Sequence, residues 1–241
     1  MNISVKGNSI LDEVNNIDKY VHDFYYEPSE NPKREYEERL ASNGMPVDNK
    51  VVEDMLTKYF QDDEEYKKNT DLEKVLLKVT LLNSHYRTVI KNIDLVAIAR
   101  HIISIPNFDK RLELVNEYRT PDFSLVKDIA YGSNEYKTKE MHNIYSFASK
   151  YCAWHQPNKF PIVDSYTKGM LYYINKDTNF YGKLTHKDLN DYCTYYNVYQ
   201  SFIDYLQRLG ICEKSYKEID IFLWQYGLKE GIKSEESKYN S

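Results

Sequence analysis

Glycine and proline are scarce in this chain, 8 and 7 among 241 residues. That scarcity argues against glycine-rich phosphate loops and against β-architectures with many tight turns, which need special backbone angles at each reversal. Cysteine is rarer still. Cys152, Cys193 and Cys212 are an odd set with no framework spacing, as expected for free thiols in a reducing compartment. Cys152-x-x-His155 has no second pair to complete the four ligands a structural metal requires, so neither metal nor cofactor is expected. No apolar run approaches the ~18 residues of a membrane span, and Met1-Asn-Ile-Ser-Val-Lys lacks the apolar core of a signal peptide. The expectation is a monomeric cytoplasmic protein with no membrane partner.

What the chain has in quantity is charge and tyrosine. The 24 tyrosines carry no function by themselves, since an AT-rich genome enriches Tyr, Asn, Lys and Ile alike. A net charge of −5 argues against a nucleic-acid partner until its distribution is considered. Residues 1–74 hold 10 basic against 18 acidic side chains, a balance of −8, so the rest of the chain carries +3. Between Tyr136 and Lys168 five lysines face only Glu140 and Asp164, with His142 and His155 in addition. A modest local basic surface is compatible with those counts.

The apolar spacing is helical throughout. Leu72, Val75, Leu76, Val79 and Leu82 make a stripe that Thr70-x-x-Glu73 would cap. Leu95, Ile98 and Ile102 mark a second helix, which Pro106 stops. Leu189, Tyr192, Tyr196, Tyr199, Ile203 and Leu206 mark a third, ended by Gly210. Ser215-x-x-Glu218 caps a last helix, Ile219 to Tyr226, with Gly227 as its expected stop. No strand pattern is evident, and the fold class expected is all-α.

The stretch that carries chemistry is Ser146-Phe-Ala-Ser-Lys150-Tyr-Cys-Ala-Trp154-His-Gln-Pro157-Asn-Lys-Phe-Pro161-Ile-Val-Asp164. Lys150 is flanked by apolar and aromatic residues, and desolvation lowers an amine's pKa and readies it as a nucleophile. Asp164 opens a helix-like segment, where capping alone would explain it. A carboxylate on a helix N-terminus also stays ionised, as stabilisation of an oxocarbenium-like sugar demands. Trp154 lies four residues beyond Lys150, on the same face of an unbroken helix, as a stacking platform or as core.

This segment resembles the active-site segment of the helix-hairpin-helix DNA glycosylase superfamily, most closely its 8-oxoguanine DNA glycosylase-like branch. The resemblance implies a two-lobed helical fold with a central cleft, residues 72–157 forming a middle lobe and 1–71 plus 158–241 a terminal lobe. It implies Lys150 as nucleophile at C1′, Asp164 assisting departure of the base, and an imine that permits strand cleavage. It implies a flipped nucleotide, with His85 in the vacated stack and Asn83, Tyr86 and Arg87 at the orphaned base. Trp154, Phe222 and Trp224 would line the base pocket, although Phe222 and Trp224 are two residues apart and cannot share a direction. The partner implied is double-stranded DNA with a damaged or modified base, met in repair or in defence against phage. The chain departs from the family at Ile144-Tyr-Ser-Phe-Ala148, which lacks the glycine-rich hairpin. Phosphate would then rest on Ser146, Ser149, a helix N-terminus and Lys137, Lys139 and Lys159. The alternative is a non-catalytic DNA- or protein-binding module on the same scaffold.

Overall fold

A computed structural model describes residues 10–26, 49–86, 88, 90, 92–114, 120–131, 144–211 and 213–232. The regular elements among them are helical, with no strand, so the protein is all-α. The chain divides into two compact units, one formed by residues 50–163 and the other by residues 1–49 together with 164–241. The front boundary falls well before residue 72, because the helix Asn49–Thr57 and the turn after it already belong with the middle segment.

The middle unit contains α3 (Asn49–Thr57), a π-helical turn at Lys58–Asp62, α4 (Leu72–Tyr86), α5 (Asn92–Ser104), α6 (Phe108–Glu113), α7 (Phe123–Tyr131) and α8 (Tyr145–His155). Helix α4 packs on α5 and α8, and α7 packs on α8. Val75, Val79 and Leu82 are fully buried, as the stripe requires. The cap differs from the expected one: Asp71, not Thr70, accepts from the backbone N–H groups of Glu73 (3.0 Å) and Lys74 (3.1 Å). A carboxylate one residue closer to the helix reaches both donors and also complements the helix dipole. Helix α5 ends at Ser104, before Pro106, and its Leu95, Ile98 and Ile102 are buried.

The unit built from the chain ends contains α1 (Ile10–Val14), α2 (Ile17–Tyr26), α9 (Ser165–Thr178), α10 (Tyr192–Arg208) and α11 (Tyr216–Glu230). Leu189 precedes α10 in a short 3₁₀ turn, and Asp191 caps the helix through the Thr194 N–H. Gly210 follows the end of α10 at φ +77°, a left-handed angle that suits glycine. The reciprocal box of Ser215 and Glu218 starts α11 as expected.

Gly227 does not end α11. The helix runs to Glu230 and closes on Gly231 at φ +65°, with Ile232 N–H bonded to Gly227 O (2.8 Å) and Gly231 N–H to Leu228 O (3.2 Å), the paired bonds of a Schellman turn. Gly227 serves packing instead: a Cβ there would lie 3.0 Å from Met170 Cγ and 3.1 Å from Tyr166 Cβ on α9. The missing side chain lets α9 and α11 approach.

Candidate active site

Helix α8 is unbroken from Tyr145 to His155 and buried along nearly its whole length. Its N-cap, Ile144, provides no side-chain cap. Ser146, Lys150 and Trp154 follow one another at four-residue spacing and so share a face. The Lys150 amine donates to Ser146 Oγ at 2.6 Å and lies 3.5 Å from the Val163 carbonyl oxygen. It also stands 5.1 Å from the ring centroid of Tyr86. Trp154 Nε1 donates to Tyr86 Oη at 3.0 Å, and the Trp154 carbonyl accepts from Gln61 Nε2 at 2.9 Å. Lys150, Tyr86 and Trp154 are therefore brought together within the middle unit, and Lys150 is only 4% exposed.

Ser149 does something other than hold phosphate. It is fully buried; its hydroxyl donates to Ser146 O (2.9 Å) and accepts from Val163 N–H (3.0 Å). Val163 is thus held to α8 at both its N–H and its carbonyl oxygen. The next residue is Asp164, the first of the other unit. Its Oδ1 accepts from the N–H groups of Tyr166 (2.8 Å) and Thr167 (2.9 Å), while Thr167 Oγ1 accepts from Asp164 N–H (3.0 Å). The capping box uses one carboxylate oxygen, and Oδ2 makes no hydrogen bond among the described residues.

The remaining expected site residues fare differently. Asn83 closes the loop after α4: its amide donates to Ile90 O (3.1 Å), and its Oδ1 accepts from Thr88 Oγ1 (2.8 Å) and Ile90 N–H (3.3 Å). The His85 side chain is 7% exposed, 4.0 Å from Glu53 Oε1 and edge-on to Tyr86, a buried placement rather than the projecting one a wedge needs. Phe222 is core, against Tyr20 and Tyr226. Trp224 is half-buried against Phe24. Of this pair of aromatics, Phe222 is the core member. Both belong to the unit of the chain ends, with Asp164. Lys159 donates to Glu113 O at 3.0 Å. Arg87, Lys137 and Lys139 lie outside the described residues.

A second polar cluster in the middle unit was not singled out from the sequence. Lys78 on α4 is 0% exposed. Its amine donates to Asn69 Oδ1 (2.7 Å) and to the carbonyls of Lys67 and Lys68 (3.2 Å each), and it lies 3.4 Å from His155 Nε2. Tyr151 Oη donates to the same Asn69 oxygen at 2.5 Å. Asn69 in turn is held by Asp109, which accepts from its amide side chain (2.6 Å) and its backbone N–H. Burial pulls the Lys78 amine down to about 7, against a smaller upward pull from Asp109. Burial, and then the Lys78 cation, hold the His155 ring well below the usual histidine range. The sequence did carry a signal: Lys78 falls three residues after Val75 and four before Leu82, on the apolar stripe itself.

The model of the family HI_0787_N, described as an N-terminal domain, matches residues 33–159, more than half of the chain. The chain belongs to this family. An uncharacterized protein of Haemophilus influenzae is 37% identical over 159 residues, which cover 66% of this chain and 69% of that protein. No solved structure gave a significant match. The part shared with the HI_0787_N family contains Tyr86, Ser146, Lys150 and Trp154, together with the Lys78 cluster. Asp164 lies beyond it. No described helix is long and apolar enough to cross a membrane.

Proposed function

We propose that this protein is a DNA glycosylase that removes a damaged or modified base through Lys150 and Asp164. The observation that carries the reading is the attachment of α8 to Val163. Lys150 Nζ and Ser149 Oγ hold the two ends of that residue, and Asp164 follows it in the chain. The motif's lysine amine is thus tied to the peptide that leads into the motif's carboxylate. In the reaction the neutral Lys150 amine attacks C1′, and the C1′–N electron pair departs with the base. One N–H proton passes to the departing base. The C1′–O4′ bond then breaks as the nitrogen lone pair forms C=N, and the second N–H proton goes to O4′, giving the imine. Asp164, the N-cap of α9, would set its carboxylate beside the oxocarbenium-like carbon. The damaged base would be an oxidised purine or a modified base of phage DNA.

The rival reading, a non-catalytic DNA- or protein-binding module, draws support from Lys150 being 4% exposed and already hydrogen-bonded. One experiment separates the two. Borohydride added to the protein with duplexes bearing oxidised purines or phage-type modified bases should trap a covalent protein–DNA adduct, and Lys150→Gln should trap none. Asp164→Asn, which still caps the helix, should fold normally and lose on the order of 100-fold or more in base release. An Asp164→Asn protein as active as the parent, or base release without an adduct in the parent, overturns the assigned roles.

A further inference from the structure

Lys78 is an amine at full burial with acceptors converging on it from separate stretches of chain: the Lys67 and Lys68 carbonyls and Asn69 Oδ1 from the loop before α4, and His155 from the last turn of α8. A buried charge is a poor source of stability, since an apolar side chain of similar volume would fill the space at lower desolvation cost. What it supplies is direction. The ammonium has three hydrogens to distribute and holds several partners in one geometry only. The aromatic faces of Phe60 and Tyr151 lie 5.5 and 5.8 Å from the amine and leave it little freedom to swing. Phe60 sits in the π-helical turn, and its ring meets those of Tyr151 (5.3 Å), Trp154 (6.4 Å) and His155 (4.7 Å) on α8. His155 immediately follows Trp154, whose carbonyl is held by Gln61 of the same turn.

We propose that Lys78 is a positioning residue for the Lys150–Trp154 face of α8, acting through His155 to fix the helix's last turn. The role in catalysis rests on the glycosylase reading; the positioning itself does not. The groups facing the Lys78 amine are His155 and Tyr151 on α8, Asn69 and the Lys67 and Lys68 carbonyls in the loop, and Asp109 on α6 through Asn69. Asp109 is the acid among them and stands behind Asn69. The phenol of Tyr151, pushed well above its usual range by burial, stays protonated throughout. His155 is held neutral, and its Nε2 is the nitrogen that faces the amine. The group that changes charge near neutrality is therefore Lys78, whose deprotonation removes one donor hydrogen and loosens the grip on His155.

The test reads Trp154 directly. In a Trp224→Phe background, Trp154 is the sole tryptophan. Its emission should change in one step centred near pH 7, and Lys78→Met should abolish the step. Hydrogen exchange at the amides of residues 151–155 should quicken at least tenfold across the same step in the parent and be pH-insensitive, after correction for intrinsic exchange, in Lys78→Met. Where a trapped adduct gives a rate, Lys78→Met should lower kcat tenfold or more with KM little changed, and Lys78→Arg, which keeps a cation, should recover part of the loss. Should Lys78→Met fail to fold, His155→Gln tests the same link from the other end and should remove the Trp154 step. A step that persists unchanged in Lys78→Met or in His155→Gln overturns the proposal. So does full kcat in a Lys78→Met protein that has lost the step. A parent that cleaves no duplex sinks the glycosylase reading, while the emission and exchange results still decide whether Lys78 positions α8.

Discussion

Lys78 and Lys150 show how the same residue type meets burial in two ways. Lys150 keeps its amine beside a hydroxyl and an aromatic face, whereas Lys78 lies fully enclosed among carbonyls, an amide and an imidazole. The enclosed amine has a measurable consequence for stability. In the unfolded chain Lys78 holds its proton up to about 10.5, whereas in the folded chain burial releases it near 7. Between those values the unfolded state binds more protons, so stability should rise with pH, by about 1.4 kcal/mol per unit where only this group titrates. His155 acts in the same sense at lower pH, because its folded ring resists a proton that the unfolded ring takes up below about 6.5. Urea midpoints measured between pH 7 and 9 should climb in the parent and stay nearly level in Lys78→Met. Equal slopes in the two proteins would place the Lys78 proton outside the folding equilibrium. The contrast is physical: the proton that orders the end of α8 is one the fold as a whole would rather lose.

At the scale of elements, the hydrophobic period did most of the work. Val75, Val79 and Leu82 lie buried where their spacing put them, and helices α4, α5, α10 and α11 lie where the patterns run. Period says nothing about which polar group reaches a helix end, and this is why Asp71 displaced Thr70 as the cap of α4. Nor can it say that a glycine serves a neighbour rather than a turn. Gly227 reads as a stop in one dimension and is a contact point in three. Alanine there gains about 1 kcal/mol in helix propensity but meets Met170 Cγ and Tyr166 Cβ at 3.0 and 3.1 Å, so the sign of its effect turns on how far those two side chains yield. Valine adds bulk at Cβ with no such compensation, and Gly227→Val should lose about 2 kcal/mol or more in denaturant unfolding. An unchanged midpoint would mean that α9 and α11 separate at little cost. Of the candidate site, the Ser146–Lys150–Trp154 face and the Asp164 cap were legible because each follows from local spacing. Glu53 beside His85, Gln61 on Trp154 and Asp109 behind Asn69 were not, since each joins residues distant in sequence.

Over the whole molecule the charge is asymmetric. The first 74 residues carry −8 and the remainder +3, so a DNA complex would rest on few phosphate contacts. Its affinity should fall with salt along a shallow line, with a slope near 0.9 per contact. Neutralising Lys137, Lys139 and Lys159 together should weaken binding similarly for all sequences and flatten that line. Unchanged affinity and slope in the triple variant would put the DNA elsewhere on the surface.

The unit made from both chain ends carries a consequence for how the protein is born. Gln225 Nε2 donates to Tyr20 O at 2.8 Å across 205 residues, and Tyr20 packs edge-on against Phe222. Residues 50–163 can close their core as soon as they leave the ribosome. Helix α2 has no α11 to receive it until synthesis has passed residue 216, a delay of ten seconds or more at ~5–20 residues per second. Closing so long a loop is costly for the folding rate but adds only logarithmically to the entropy. Helix α2, made before the middle unit, is therefore placed after it. Through that interval the apolar faces of α1 and α2, Val14 and Ile17 among them, stand exposed as a surface a chaperone would meet first.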